Sequence, residues 1–185
     1  MKYKSYFDNN IILIEPEIFR DKRGFIFESY NCKIYEKFLP KKMKFIQDNI
    51  SQSPRNVFRG LHFQSGIHSQ NKLLQVLDGK ILDCIIDLRY KSDEFGKCKT
   101  FLLDSKFKKQ IFIGKGFGHG FLALSNKATV MYKVDKFYSK KHSISLNYTS
   151  TKLKKKLLKY ASKIILSKND INGISIKDVL RNKIK

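Results

Sequence analysis

The sequence predicts a mainly β domain, an antiparallel β-sandwich or barrel with a few short helices, mostly C-terminal. Three observations predict this. Short apolar runs recur between Ile11 and Val134. Turn signals such as Asp78-Gly79 and Ser125-Asn126 separate them. After about residue 150 the apolar runs give way to a lysine-rich stretch of helical character. Many short strands at such spacing are the mark of all-β architectures.

Taken in order, residues 11–14 form the first expected strand. Residues 20–24 are a polar turn, and Phe25-Ile26-Phe27 is the next strand. Residues 32–38 read as a short helix or helical turn. Phe45-Ile46 leads into the polar stretch DNISQS. Further strands are expected at 57–63, 72–77, 81–88, 100–103, 110–113, 121–124 and 129–134. Residues 152–162 are a basic helical segment, and 167–170 and 175–180 are helical turns. That tail is too small for a separate domain, so residues 1–185 are read as one.

Composition narrows the class. At 185 residues and 42% hydrophobic, with 15 Phe and 9 Tyr, the chain can build a real core. Lys and Arg outnumber Asp and Glu by 38 to 16, giving +22. Such a surface attracts anions, whether phosphate esters, nucleic acid or acidic membrane. The same excess also suits a solvated surface in a sequence rich in Lys, Ile, Asn and Phe. The basic residues are scattered, and no groove-reading helix or RNA-binding fingerprint accompanies them, so nucleic acid is not an expected partner. Cys32, Cys84 and Cys98 fall in no paired spacing, which suits a reduced cytoplasm. The N-terminus has no apolar signal core, and no apolar run approaches the roughly 20 residues of a membrane span.

Two of the four histidines stand in unusual settings. His62 lies in RGLHFQ, beside Arg59 and Gln64. His119 lies in GKGFGHGF, where glycines let backbones approach closely. Metal-binding barrels often use an HxH pair with a downstream carboxylate and a further His. Here Gln64 stands two residues after His62, and His68 is isolated in a polar loop, so no metal is expected. Proton chemistry needs a base near neutral pH, and His supplies one. Asp170, in LSKND, is a candidate carboxylate to orient it. Lys72 or Arg59 is a candidate to stabilise negative charge on oxygen. Tyr132, in VMYKV, is a candidate acid.

The order of these pieces is more specific. Between Asp21 and Asp170 the chain carries DKRGFIFESY, FIQDNISQS, RGLHFQ, QNKLLQVLDGKILDCIIDLR, GFGHGF and YKVDKFY, the last ending at Tyr138. In that order they resemble the dTDP-4-dehydrorhamnose 3,5-epimerase family. The resemblance implies a cupin-like, jelly-roll antiparallel β-barrel, usually a homodimer, without metal or cofactor. It implies a nucleotide-linked 4-keto-6-deoxyhexose as substrate, whose ketone acidifies the C–H bonds at C3 and C5.

Carried over by position, His62 is the base, Asp170 its partner, Tyr132 the opposing acid and Lys72 the enolate stabiliser. Arg59 and His119 line the pocket, with Asp83 supporting His119 or Lys72. Arg23, Phe25, Glu28, Gln47 and Asn49 hold the nucleotide, some across the dimer interface. Phe137 or Tyr138 offers an aromatic face to the base.

The chain departs from the family at Ile26, Phe63, Gly114, Gly118 and the stretch SKKHSISLNYTST after Tyr138. These departures leave open a GDP-linked sugar, a heptose and inversion at one carbon only, whereas the intact His62, Lys72, Tyr132 and Asp170 argue against a non-catalytic sugar-nucleotide binder.

Overall fold

The structure is a computed structural model that describes residues 1–182 and 184. Its elements are β1 (Lys2–Tyr6), β2 (Ile11–Glu15), β3 (Phe19–Asp21), β4 (Gly24–Ile26), α1 (Cys32–Tyr35), β5 (Gln47–Pro54), β6 (Phe58–Gln64), β7 (Lys72–Asp78) and β8 (Lys80–Asp87). They continue with β9 (Cys98–Asp104), β10 (Gln110–Ile113), β11 (Phe117–Ala123), β12 (Lys127–Val134), β13 (Ser143–Ser145), α2 (Leu153–Leu157), α3 (Lys168–Ile171) and α4 (Ile176–Arg181). Three short 3-10 turns between strands and one before α2 complete the described chain.

The strands form a six-stranded sheet in the order β1-β2-β10-β7-β12-β5 and a five-stranded sheet in the order β13-β6-β11-β8-β9. β3 and β4 make a separate hairpin. All strand pairs are antiparallel. Side chains alternate across each strand, and the apolar residues sort accordingly. Ile11, Leu74, Val76, Ile111 and Val130 from one sheet meet Ile81, Ile85, Phe117 and Phe121 from the other. The opposite face of the larger sheet, with Ile12, Ile14, Leu73 and Phe112, is covered by Tyr35 and Leu39. The opposite face of the smaller sheet, with Phe58, Leu61, Leu82 and Leu122, is covered by Leu146, Leu153, Leu157 and Val179. The C-terminal helices are thus a cover on one sheet.

Four strands differ from the sequence expectation. β1, β5 and β13 are edge strands of the two large sheets, and β3 is half of the separate hairpin; none of them was expected. β5 is the polar stretch around DNISQS. Gln47, Asn49, Ser51 and Ser53 lie on its less exposed side, and every residue pairs with β12. Its strand conformation comes from the backbone ladder with β12, not from apolar alternation. The expected polar turn at 20–24 is the tip of the β3–β4 hairpin, with strand on both sides. The expected helix at 152–162 shrinks to Leu153–Leu157. Its N-cap position is Lys152, which makes no side-chain cap bond, and three consecutive lysines follow. The glycine-rich segment at 117–123 is a central strand buried throughout. Among the described residues no helix is long and apolar enough to cross a membrane.

Candidate active site

β6 builds the site through a bulge. His119 pairs with His62, and Phe121 pairs with Arg59, so three steps along β6 match two along β11. Residues three apart on a regular strand face opposite ways. The extra residue resets the alternation. Arg59, His62 and Gln64 all line one cavity, while Leu61 packs in the outer core and Phe58 and Phe63 pack there and also border the cavity.

Two glycines make the bulge possible. Gly60 has φ +125°, and a Cβ there would sit 2.6 Å from Gly120 Cα. A Cβ on Gly120 would meet Arg59 O at 2.5 Å. The glycine of RGLHFQ and the one after His119 thus let these two backbones touch.

The cavity has a volume of about 570 Å³, within the range of small-molecule sites. His62, Asp170, Lys72, Tyr132, Arg59 and His119 line it, with Tyr138 at its rim. His62 and Asp170 are 108 residues apart in sequence, and His62 Nε2 lies 2.5 Å from Asp170 Oδ1. The return of the chain explains the meeting. Ile165 bridges to Val57 and exchanges backbone hydrogen bonds with Asn56 and Phe58 at the start of β6. Ser167 then caps α3, accepting from Asp170 N–H and donating to Asp170 Oδ2 at 2.9 Å. Burial pushes the Asp170 carboxyl up. Hydrogen bonding and charge from His62, with help from Ser167 and the Gly60 N–H, overcome that and hold it below the usual carboxylate range. His62 Nδ1 makes no hydrogen bond among the described residues.

A second pair lies beside the first. His119 Nε2 is 2.6 Å from Asp83 Oδ2, both buried between the sheets. Lys72, at the start of β7, is pushed down to about 8 by burial, against the upward pull of Asp83. The Tyr132 hydroxyl is pushed up by burial, with Arg59 pulling it down and Tyr138 pushing it up. Arg59 is steadied by Ser53 Oγ at 2.8 Å and by the Gln52 carbonyl.

Other expected site residues do not line this cavity. Arg23 pairs with Asp21 on the β3–β4 hairpin and is largely exposed. Phe25 stacks on Phe27 in the open, and exposed Glu28 accepts from Asn31. Gln47 bonds Asn49 and the Tyr138 backbone on β5, outside the lining. Phe137 lines a separate cleft with Lys41, Lys42 and Lys136. Of the two aromatic candidates, only Tyr138 borders the cavity.

Sequence reasoning missed Ser51, Gln64, Ser143 and Ser145 in the lining. Gln64 carried a usable signal, since it stands two residues from His62 and so shares its face. Among the described residues no group of three or more His, Cys, Asp or Glu is arranged to hold a metal.

The model of the dTDP-4-dehydrorhamnose 3,5-epimerase family matches residues 9–178. The chain belongs to this family. An epimerase of the family from Shigella flexneri is 37% identical over 164 residues, 89% of this chain and 90% of the relative. The crystal structure of an epimerase from Elizabethkingia anophelis is similar at TM-score 0.83 and 38% identity, covering 96% of this chain and 97% of that one. An epimerase from Legionella pneumophila, solved with dTDP-4-keto-L-rhamnose, is similar at TM-score 0.87 and 34% identity, covering 95% and 93%. The cupin-like, mainly β architecture expected from the motifs is therefore the family's own.

Proposed function

We propose that this epimerase-family chain inverts C3 and C5 of a dTDP-linked 4-keto-6-deoxyhexose. The observation that carries the reading is the meeting of the His62–Asp170 pair, Lys72 and Tyr132 around one cavity.

His62 takes a proton from the carbon next to the ketone. The C–H electron pair moves toward the C4 oxygen and makes an enolate. The Lys72 ammonium stabilises that oxygen, and Asp170 stabilises the imidazolium that forms. Tyr132 then returns a proton to the same carbon from the opposite face. Its raised pKa keeps that proton on the hydroxyl at neutral pH. The electron pair never leaves the sugar, so no reductant or oxidant is consumed, and His62 then gives its proton to solvent while Tyr132 takes one back from it. Arg59 suits the diphosphate through charge-assisted bonds.

The nucleotide residues fit a homodimer. Arg23, Phe25 and Glu28 are exposed on one protomer, where a second copy can receive them, and Gln47 and Asn49 lie on the edge strand β5. The three cysteines are free thiols, which suits the cytoplasm.

The test is incubation with dTDP-4-keto-6-deoxyglucose in deuterated water, with the GDP-linked sugar in parallel. Deuterium at C3 and C5, with the dTDP sugar preferred and converted to the 4-keto-rhamnose configuration, is the expected result. A folded protein that exchanges neither sugar would overturn the reading.

A further inference from the structure

Gln64 carries a donor that the reaction above does not use. The residue is 7% exposed yet borders the cavity. Its oxygen is committed, because the Ser139 N–H donates to Gln64 Oε1 at 3.0 Å. An N–H needs an acceptor, so the amide cannot be turned round. The Nε2 end is buried and has no hydrogen-bond partner among the described residues. Native structures pair nearly all such groups, because an unmade buried bond is costly. The backbone fixes the side chain further. Ser69 Oγ donates to the Gln64 carbonyl at 3.0 Å, and Ser143 of β13 pairs with Gln64 in register.

The neighbours on β6 say what this donor meets. The strand offers the cavity Arg59, then His62, then Gln64, which are a cation, a base and a neutral donor. Two residues along a strand cover roughly 7 Å, about the reach of a sugar ring with its substituents. A ligand held against His62 therefore passes the Gln64 amide.

We propose that Gln64 is a substrate-binding residue whose side-chain NH₂ donates to an oxygen of the sugar nucleotide, on the hexose or on the diphosphate. This rests on the sugar-nucleotide reading above. The amide recognises an acceptor oxygen and leaves proton transfer to His62 and Tyr132, so its effect belongs in KM.

Two variants test it. Gln64→Glu keeps the size and the acceptor for Ser139 but loses the NH₂. Gln64→Met loses both without adding charge. Turnover of dTDP-4-keto-6-deoxyglucose, calorimetric binding of dTDP and melting temperature are measured for each. Gln64→Glu is expected to stay folded but melt below wild type, since it buries a carboxylate oxygen without a partner, with KM raised about tenfold and kcat within about threefold. Gln64→Met should show the same rise in KM, which separates loss of the donor from charge repulsion. A matching loss of dTDP affinity assigns the contact to the diphosphate, and unchanged dTDP affinity assigns it to the hexose. An unchanged KM in both variants, or a loss confined to kcat, overturns the proposal. An inactive wild type sinks the epimerase reading and this one together, whereas an active wild type with unaffected variants sinks this one alone.

Discussion

His62 and His119 face each other across neighbouring strands, and each bonds an aspartate through Nε2. The resemblance ends there. The His119–Asp83 pair is closed within one sheet, from strands that touch, and its side chains are 9% and 0% exposed. The His62–Asp170 pair is closed by the returning C-terminal segment, and the His62 side chain is 42% exposed. Buried charge must be paired wherever it lies. A base must also reach its substrate. Both histidines border the cavity, but the His62 side chain is far more open to it, which favours His62 over His119 as the proposed base.

After His62 itself, Lys72 offers the largest effect, because it connects the two pairs: it borders the cavity and feels Asp83. Lys72→Met should lower kcat by about 10²–10³-fold, the usual cost of losing an oxyanion donor. In wild type the rate should fall as pH rises through about 8, where the ammonium loses its proton. Stability moves the other way. The unfolded lysine holds its proton up to about 10.5, so between these values the unfolded chain binds more protons and this lysine's contribution to stability grows with pH. A pH–rate profile and pH-dependent melting check both signs. A Lys72→Met enzyme that keeps the alkaline fall would assign it elsewhere.

Asp170→Asn comes next. It leaves the shape but removes the charge that holds the imidazolium, and kcat should drop by about 10²-fold in steady-state turnover. The smallest rate effect belongs to Asp83→Asn, which should stay within about threefold at neutral pH. Its cost is stability, about 2 kcal/mol for a disrupted buried bond, or a melting temperature lower by roughly 4–8 °C. It should also move the alkaline fall to lower pH, because the upward pull on Lys72 is gone. If Asp83→Asn slowed turnover as much as Asp170→Asn, the distinction between the pairs would fail.

The sequence was most legible where burial on both sides writes itself as apolar runs. β2, β7, β8 and β10 are of that kind. β5 was not, since its inward row is Gln, Asn, Ser and Ser and its partner strand supplies the order. The site divided in the same way. His62, Arg59 and His119 were visible through the glycines that shape the bulge. Asp170 was one candidate carboxylate among others until the family resemblance paired it with His62, because local pattern cannot show a contact across 108 residues. Arg23, Phe25 and Glu28 are motif residues with no burial on a single chain to mark their surroundings. Gln64 was seen as the residue that breaks a metal motif, and its own role depends on a backbone N–H that sequence does not display.

The most direct test compares the two histidines by proton exchange. His62→Ala and His119→Ala are each incubated with dTDP-4-keto-6-deoxyglucose in deuterated water, and deuterium is read at C3 and C5. Loss of His62 should abolish exchange at both carbons, by at least about 10³-fold, while loss of His119 should leave it measurable. Exchange that survives in His62→Ala and vanishes in His119→Ala would contradict the assignment of the base.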